Sequence, residues 1–172
     1  MTEEVIAKAV EKAEELGIKY VVVASNTGEV VKKTLGKFPN IIWVTHHFGY
    51  LKPGEFDFTQ ETKESMEKEG VKVLTTSHVL SGAERGLSSR FNGYGPVEVM
   101  SATLRMFGQG TKVCVEVTTM AMDAGLLPVG EKVIAIGGTG RGADTAVVIT
   151  PAHAFKILDT KIHEVIIKPF LK

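Results

Sequence analysis

Short, continuous runs of branched apolar residues are the feature that most restricts the fold of this chain. Three of these runs lie in the first half, at residues 19–24, 40–44 and 72–75. Because they do not alternate apolar with polar residues, each run predicts a strand that is buried on both faces. Helix-forming stretches separate the runs, and strands that alternate with helices predict a parallel sheet. We therefore predict a three-layer α/β fold, with helices on both faces of a mostly parallel sheet.

The other elements follow from local helix, strand and loop signals. They are helices at residues 2–16, 29–35, 60–69 and 96–108 and strands at residues 132–136, 145–150 and 164–167. Thr2 is expected to cap the first helix, and Gly17 to end it. Residues 88–96 have the composition of a loop. The secondary structure of residues 111–125 is undecided, because their β-branched side chains favour a strand whereas their apolar spacing favours a helix.

Length, composition and charge limit the organisation of the chain and its partners. With 172 residues, 44% of them hydrophobic, we predict a single domain over residues 1–172. The 20 Lys and Arg balance the 20 Asp and Glu, which argues against binding to nucleic acid or to an acidic membrane surface. No signal peptide is recognisable, and no apolar run approaches the roughly 18 residues of a membrane helix. Cys114 is the single cysteine and cannot form an internal disulfide, so we expect a cytoplasmic protein.

Two short loops of small residues indicate a site for a phosphate. Ser25, Asn26, Thr27 and Gly28 follow the first predicted strand and lead into a helix, whose free N–H groups favour an anion. The second loop is GGTGRG at residues 137–142, which lacks the spacing of the dinucleotide fingerprint and leads into a strand. A Rossmann nicotinamide site is therefore disfavoured. Each loop also has a simpler interpretation, the first as a helix cap and the second as a tight connection between strands.

Polar side chains recur at the carboxyl ends of the predicted parallel strands. Thr45, His46 and His47 follow the second strand, and Ser77 and His78 follow the third. Because ligands bind beyond these ends in open α/β sheets, we expect the site there. The histidines could transfer a proton or donate a hydrogen bond to a ligand, so no catalytic residue is assigned. We predict no metal site, because adjacent histidines on a strand would point to opposite faces.

Arginines near these loops are candidates for contact with an anion. Arg141 could supply a fixed positive charge that Asp144 orients, or the two could form only a surface pair. Arg85 lies in a stretch that also contains Phe91 and Tyr94. This stretch could contact a planar phosphorylated ligand, or it could be a mobile lid or an oligomer contact.

Several segments resemble the carboxyl-terminal α/β domain of pyruvate kinase. They are KYVVVASNTGEVVKK at residues 19–33, IIWVT at residues 41–45 and GEKVIAIGGTGRGADTAVVI at residues 130–149. SHVLSGAER at residues 77–85 and GRGADT at residues 140–145 resemble the stand-alone archaeal relatives of that domain in particular. The resemblance implies the same fold, with a helix at residues 111–125. It also implies no pyruvate kinase activity, because 172 residues leave no room for the separate catalytic barrel.

The archaeal relatives resemble binders of flavin mononucleotide (FMN), so the resemblance implies a phosphorylated ligand, FMN first, at the carboxyl edge of the sheet. The expected binding residues are Ser25, Asn26, Thr27, Gly28, Thr45, His46, Ser77, His78, Ser81, Arg85, Gly138, Thr139, Gly140, Arg141, Gly142 and Asp144. If the protein is an enzyme, FMN-dependent redox chemistry is the expected class. Two alternatives stay open: a sensor of a sugar phosphate that regulates a partner, and a structural module that forms a homo-oligomer.

Overall fold

The polypeptide builds a six-stranded sheet in the computed structural model, which describes residues 1–170. The strands are β1 (Tyr20–Ala24), β2 (Asn40–Val44), β3 (Lys72–Leu74), β4 (Val133–Gly137), β5 (Thr145–Thr150) and β6 (Lys161–Ile167). Their order across the sheet is β3-β2-β1-β4-β5-β6. The first four strands in this order are parallel, whereas β5 and β6 are antiparallel to their neighbours. The mixed α/β fold with a mostly parallel sheet is therefore confirmed.

Six α-helices and a short 3-10 helix complete the described chain. They are α1 (Thr2–Leu16), α2 (Glu29–Lys32), α3 (Gln60–Lys68), α4 (Gly82–Phe91), α5 (Pro96–Arg105), α6 (Gln109–Asp123) and the 3-10 helix Ala154–Asp159. The sequence pattern left residues 111–125 undecided between a strand and a helix. They are helical as far as Asp123. None of the helices within residues 1–170 has both the length and the apolar composition needed to cross a membrane.

Two apolar layers cover the sheet, one on each face. Val21 and Val23 of β1 point into the layer that α1 and α3 cover. Val22, between them, points into the opposite layer, which includes much of α6. Successive side chains of a strand alternate between faces, so a strand that is buried on both faces has a continuous apolar sequence. This geometry explains why the central strands of the sheet were predictable from their continuous runs of apolar residues.

Four local predictions were wrong in their extent, among them the helix predicted at residues 96–108, which ends at Arg105. The helix predicted at residues 29–35 ends at Lys32, after which turns follow with hydrogen bonds between residues three apart. Residues 88–91, predicted as loop, form the last turn of α4, which Asn92 ends in a left-handed conformation. None of the residues of α4 is buried, so the helix has no apolar face that its sequence could reveal. The last strand begins at Lys161, not at residue 164.

Thr2 does not cap α1 as predicted. Its side chain makes no capping hydrogen bond, and Met1 occupies the capping position. The Thr2 hydroxyl instead donates to the carbonyl of Ala143 at 3.2 Å and accepts from the N–H of Ala143 at 3.1 Å. The start of α1 is thereby joined to the end of the glycine-rich loop that follows β4.

Candidate functional site

The carboxyl ends of β1, β2, β3 and β4 lie along the same edge of the sheet. From β1 the chain builds outward through β2 to β3, and it then returns to place β4 on the other side of β1. The order of the strands therefore reverses between β1 and β4, which is where open α/β sheets bind ligands. The two loops that the sequence singled out follow these two strands. The Asn26 side-chain amide donates to the carbonyl of Gly140 at 3.5 Å, so the loops lie in contact.

Hydrogen bonds within the protein hold the first loop, residues 25–28. The Ser25 hydroxyl accepts from the N–H groups of Gly28, at 3.1 Å, and Val30, at 3.4 Å. The Ser25 carbonyl accepts from the indole N–H of Trp43 at 2.6 Å, and Ser25 itself is buried. Ser25 thus organises the turn as a helix cap does, whereas Thr27 is exposed. The group in this loop that faces solvent is Thr27 rather than Ser25.

The second loop, residues 138–142, is tightly folded and open to solvent at its tip. A Cβ atom added to Gly138 would lie 2.2 Å from the carbonyl oxygen of Gly142, so only glycine fits at this turn. Gly140 and Arg141 at the tip are exposed. Within residues 1–170 no ion pair joins Arg141 to Asp144, whose carboxylate instead accepts from the Thr145 hydroxyl at 2.6 Å. The sequence left a contact between Arg141 and Asp144 open, but the structure of residues 1–170 has no such ion pair and the guanidinium faces solvent.

Aromatic rings gather at the ends of β2 and β3. We call His46, His47, Tyr50 and His78 the histidine cluster. The ring centroids of His46 and Tyr50 are 3.7 Å apart with an interplanar angle of 31°. The rings of His46 and His47 lie 5.8 Å and 5.6 Å from that of His78. The expectation that the adjacent histidines would point apart was wrong, because β2 ends at Val44 and the backbone beyond it is irregular.

Two further contacts orient the histidine cluster. The Nδ1 atom of His46 lies 2.5 Å from a carboxylate oxygen of Asp57, whose side chain is buried. Just after β2 and β3, the hydroxyls of Thr45 and Thr75 share a hydrogen bond of 2.7 Å. Within residues 1–170, the His, Cys, Asp and Glu side chains form no group of three arranged to hold a metal ion.

A cavity of about 500 Å³ opens beside the histidine cluster. It is lined by His47, Phe48, Thr75, Thr76, Ser77, His78, Gly82 and Ala83. Partial burial lowers the pKa of His78, the charge of Glu116 opposes this effect, and the nearby His46, Lys112 and His47 act in the same direction as burial. His78 is therefore held toward its neutral form, in which one ring nitrogen donates a hydrogen bond and the other accepts one.

The sequence matches a known family over most of its length. A family model described as the alpha/beta domain of pyruvate kinase matches residues 3–149. The chain belongs to this family. Among solved structures, a pyruvate kinase from Cryptosporidium parvum is 17% identical with a TM-score of 0.44, and the complex of Cryptosporidium parvum pyruvate kinase with ADP is 18% identical with a TM-score of 0.42. Each alignment covers 86% of this chain and 22% of the other, so the chain spans about a fifth of those enzymes.

Both loops and the histidine cluster of this pyruvate kinase α/β domain lie inside the matched residues, whereas β6 lies outside them. The structure brings the predicted site residues together in two places. Asn26, Thr27, Gly140 and Arg141 lie around the contact between the loops, and Ser77 and His78 lie at the cavity. Ser81 is next to the cavity at the start of α4, and Arg85 is exposed on that helix.

The sequence analysis missed some residues of this site. Tyr50 and Asp57 were not selected, because they lie in a long irregular connection where no pattern marks them. Glu116, which accepts from the N–H of Leu80 two residues after His78, and its partner Lys112 were also not selected, although a detectable signal existed for this pair. They are opposite charges four residues apart in a segment that is otherwise apolar, the spacing of an ion pair on a helix.

Proposed function

We propose that this domain binds a phosphorylated small molecule at the carboxyl edge of its sheet, and that FMN is that molecule. The contact between the Asn26 amide and the Gly140 carbonyl carries this proposal, because it joins two loops of small residues at the reversal of strand order. The resemblance of residues 77–85 and 140–145 to stand-alone archaeal FMN binders favours this ligand over other phosphorylated molecules.

The phosphate would be held at the contact between the loops. Thr27 offers an exposed hydroxyl, and Arg141 offers an exposed guanidinium with a geometry that suits phosphate. The Ser25 hydroxyl already accepts from two N–H groups, so its role is to shape the turn. This division differs from the expectation that all four residues of the first loop would contact the ligand.

The histidine cluster suits the planar part of such a ligand. His46 and Tyr50 present rings that are tilted by only 31°, and aromatic side chains stack on flat heterocycles. The adjoining cavity of about 500 Å³ adds hydroxyl groups from Thr76 and Ser77 that could bond to ring oxygens or nitrogens. The residues present therefore fit FMN. When bound, FMN would supply electron-transfer chemistry, and the protein would orient the ring and exclude water.

A ligand panel measured by thermal unfolding tests this function. At about a hundred times its dissociation constant, a ligand stabilises the native state by about 2.7 kcal/mol, which raises Tm by roughly 5–10 °C for a chain of this size. We expect this rise with FMN and a much smaller one with riboflavin, which lacks the phosphate. A rise with a sugar bisphosphate and none with FMN would favour the phosphometabolite sensor instead. Equal rises with FMN and riboflavin would contradict a phosphate-anchored site.

Matched variants locate the phosphate. Thr27→Ala and Arg141→Ala should each weaken FMN binding by about tenfold, because each removes a group that faces the loop contact. Lys132→Ala is the control, since Lys132 is an exposed cation just before β4, at the opposite end of that strand from Arg141. Fluorescence quenching of FMN gives the dissociation constants. An effect of Lys132→Ala as large as that of Arg141→Ala would show a general charge effect and overturn the assignment of the loops.

A further inference from the structure

Helix α6 contains a buried ion pair among apolar neighbours. The ammonium of Lys112 contacts a carboxylate oxygen of Glu116 at 2.5 Å, one helical turn away. Each residue is only 4% exposed. Neighbouring positions on α6, such as Cys114 and Val115, contribute to the apolar layer on this face of the sheet.

A buried ion pair is weak evidence that a protein gains stability from it. Removing two charges from water costs free energy that their mutual attraction often fails to recover, and replacing a buried pair with apolar residues is often neutral or stabilising. Burial lowers the pKa of Lys112, and the charge of Glu116 opposes this effect. A buried pair that does not improve stability is a candidate for a role in the adjoining site.

The second oxygen of Glu116 reaches the segment that lines the cavity. It accepts from the N–H of Leu80 at 3.0 Å, and the Ser101 hydroxyl of α5 donates to the Leu80 carbonyl at 2.7 Å. Two side chains from two helices therefore hold both backbone polar groups of Leu80. His78 and Ser77, which line the cavity, lie two and three residues before Leu80 on the same short segment.

The pair also influences the charge of His78. Glu116 raises the pKa of His78, whereas partial burial, Lys112 and the two other histidines of the cluster lower it. A protonated His78 would attract an anionic ligand, and a neutral His78 would not.

We propose that Glu116 is a positioning residue of the histidine cavity: its carboxylate, which Lys112 contacts, holds Leu80 and thereby the segment at residues 75–81. The consequence for ligand affinity rests on the proposed function. The consequence for Leu80 does not, because it concerns the protein without a ligand.

Three variants, one of them a control, separate the charge of Glu116 from its hydrogen bond to Leu80. Lys112→Met with Glu116→Gln removes both charges but keeps a side-chain oxygen that can accept from the N–H of Leu80, and it leaves no unpaired lysine buried. The double variant Lys112→Met with Glu116→Leu removes both the charges and the acceptor while keeping similar side-chain volumes. The control is Lys63→Met with Glu67→Leu, because Lys63 and Glu67 form an ion pair of the same spacing on α3 that is partly exposed.

Each variant has its own expected pattern. In Lys112→Met with Glu116→Leu, amide exchange at Leu80 should quicken and FMN affinity should fall by about tenfold, because the N–H of Leu80 has lost its acceptor. In Lys112→Met with Glu116→Gln, Leu80 should stay protected, because the amide oxygen can still accept from its N–H. The control should change neither readout.

Unchanged exchange at Leu80 in Lys112→Met with Glu116→Leu would overturn the anchoring role, even if FMN binding had weakened. Should the wild-type protein bind neither FMN nor inorganic phosphate, the proposed function would fail, yet exchange at Leu80 would still decide the present inference. If that double variant does not fold, the wild-type protein still tests the inference, because exchange at Leu80 as fast as at an exposed amide would contradict the hydrogen bond to Glu116.

Discussion

Gly28 is the residue on which the shape of the first loop depends most directly. Its φ of +87° lies in the left-handed region, and a Cβ atom there would lie 3.1 Å from atoms of both Trp43 and Thr62. The sequence analysis selected Gly28 for close approach to a ligand. The structure shows that backbone conformation and the packing of Trp43 already require glycine at this position.

We predict that Gly28→Ala lowers the free energy of unfolding by more than the 1–2 kcal/mol expected for a left-handed alanine, because the methyl group also meets the Trp43 ring. Gly36→Ala is the matched control, since Gly36 has a φ of +70° and open space around its Cα. Urea unfolding of both variants measures the difference. If both variants lost the same free energy of unfolding, Trp43 would move aside without cost, which would contradict the packing argument.

At the scale of elements, the contact of α1 with the glycine-rich loop carries a second prediction. The Thr2 hydroxyl both donates to and accepts from the backbone of Ala143. Thr2→Val keeps the shape of the side chain but removes both bonds, which should cost about 1–2 kcal/mol and speed amide exchange at Ala143. FMN affinity should fall as the loop loosens. Thr2→Ser, which keeps the hydroxyl, should leave both the exchange at Ala143 and the FMN affinity unchanged. If Thr2→Val left exchange at Ala143 unchanged, α1 would have no part in ordering the loop.

At the scale of the whole molecule, Cys114 reports on global unfolding. It lies between α6 and the sheet with no exposed surface, and its thiol donates a weak hydrogen bond of 3.5 Å to the Ala135 carbonyl. Burial raises the pKa of the thiol, so the reactive thiolate is scarce in the native state. Only an opening that separates α6 from the sheet would expose it.

We therefore expect Cys114 to resist a disulfide reagent at pH 8 in native buffer and to react as urea unfolds the protein, with the same midpoint as the loss of helical circular dichroism. Ser89→Cys provides the comparison, because Ser89 is exposed on α4 and a thiol there should react at once. Reaction of Cys114 well below the unfolding midpoint would show that α6 opens separately from the rest of the molecule.

Local sequence determined the parts of this protein whose burial leaves a pattern along the chain. The strands β1, β2, β4 and β5 were predicted to within a residue or two, because strands buried on both faces are continuously apolar. The same reasoning failed for α4, which has no buried residue, and was undecided for α6, which is buried on nearly all sides, so that its helical period is obscured. The resemblance to a family, not periodicity, indicated that α6 is a helix.

For the candidate site, the sequence alone predicted both loops and the histidines, because small and polar residues after apolar strands mark the carboxyl edge of a sheet. Only the tertiary structure decided which of these groups are hydrogen-bonded within the protein and which are available to a ligand. In the folded chain, the Ser25 hydroxyl accepts from amides of its own turn, and Asp144 accepts from Thr145 instead of pairing with Arg141. Asp57 contacts His46. The fold also brings Glu116 to Leu80, 36 positions away along the chain. Such contacts depend on how distant segments pack together, and no local pattern of residues encodes that packing.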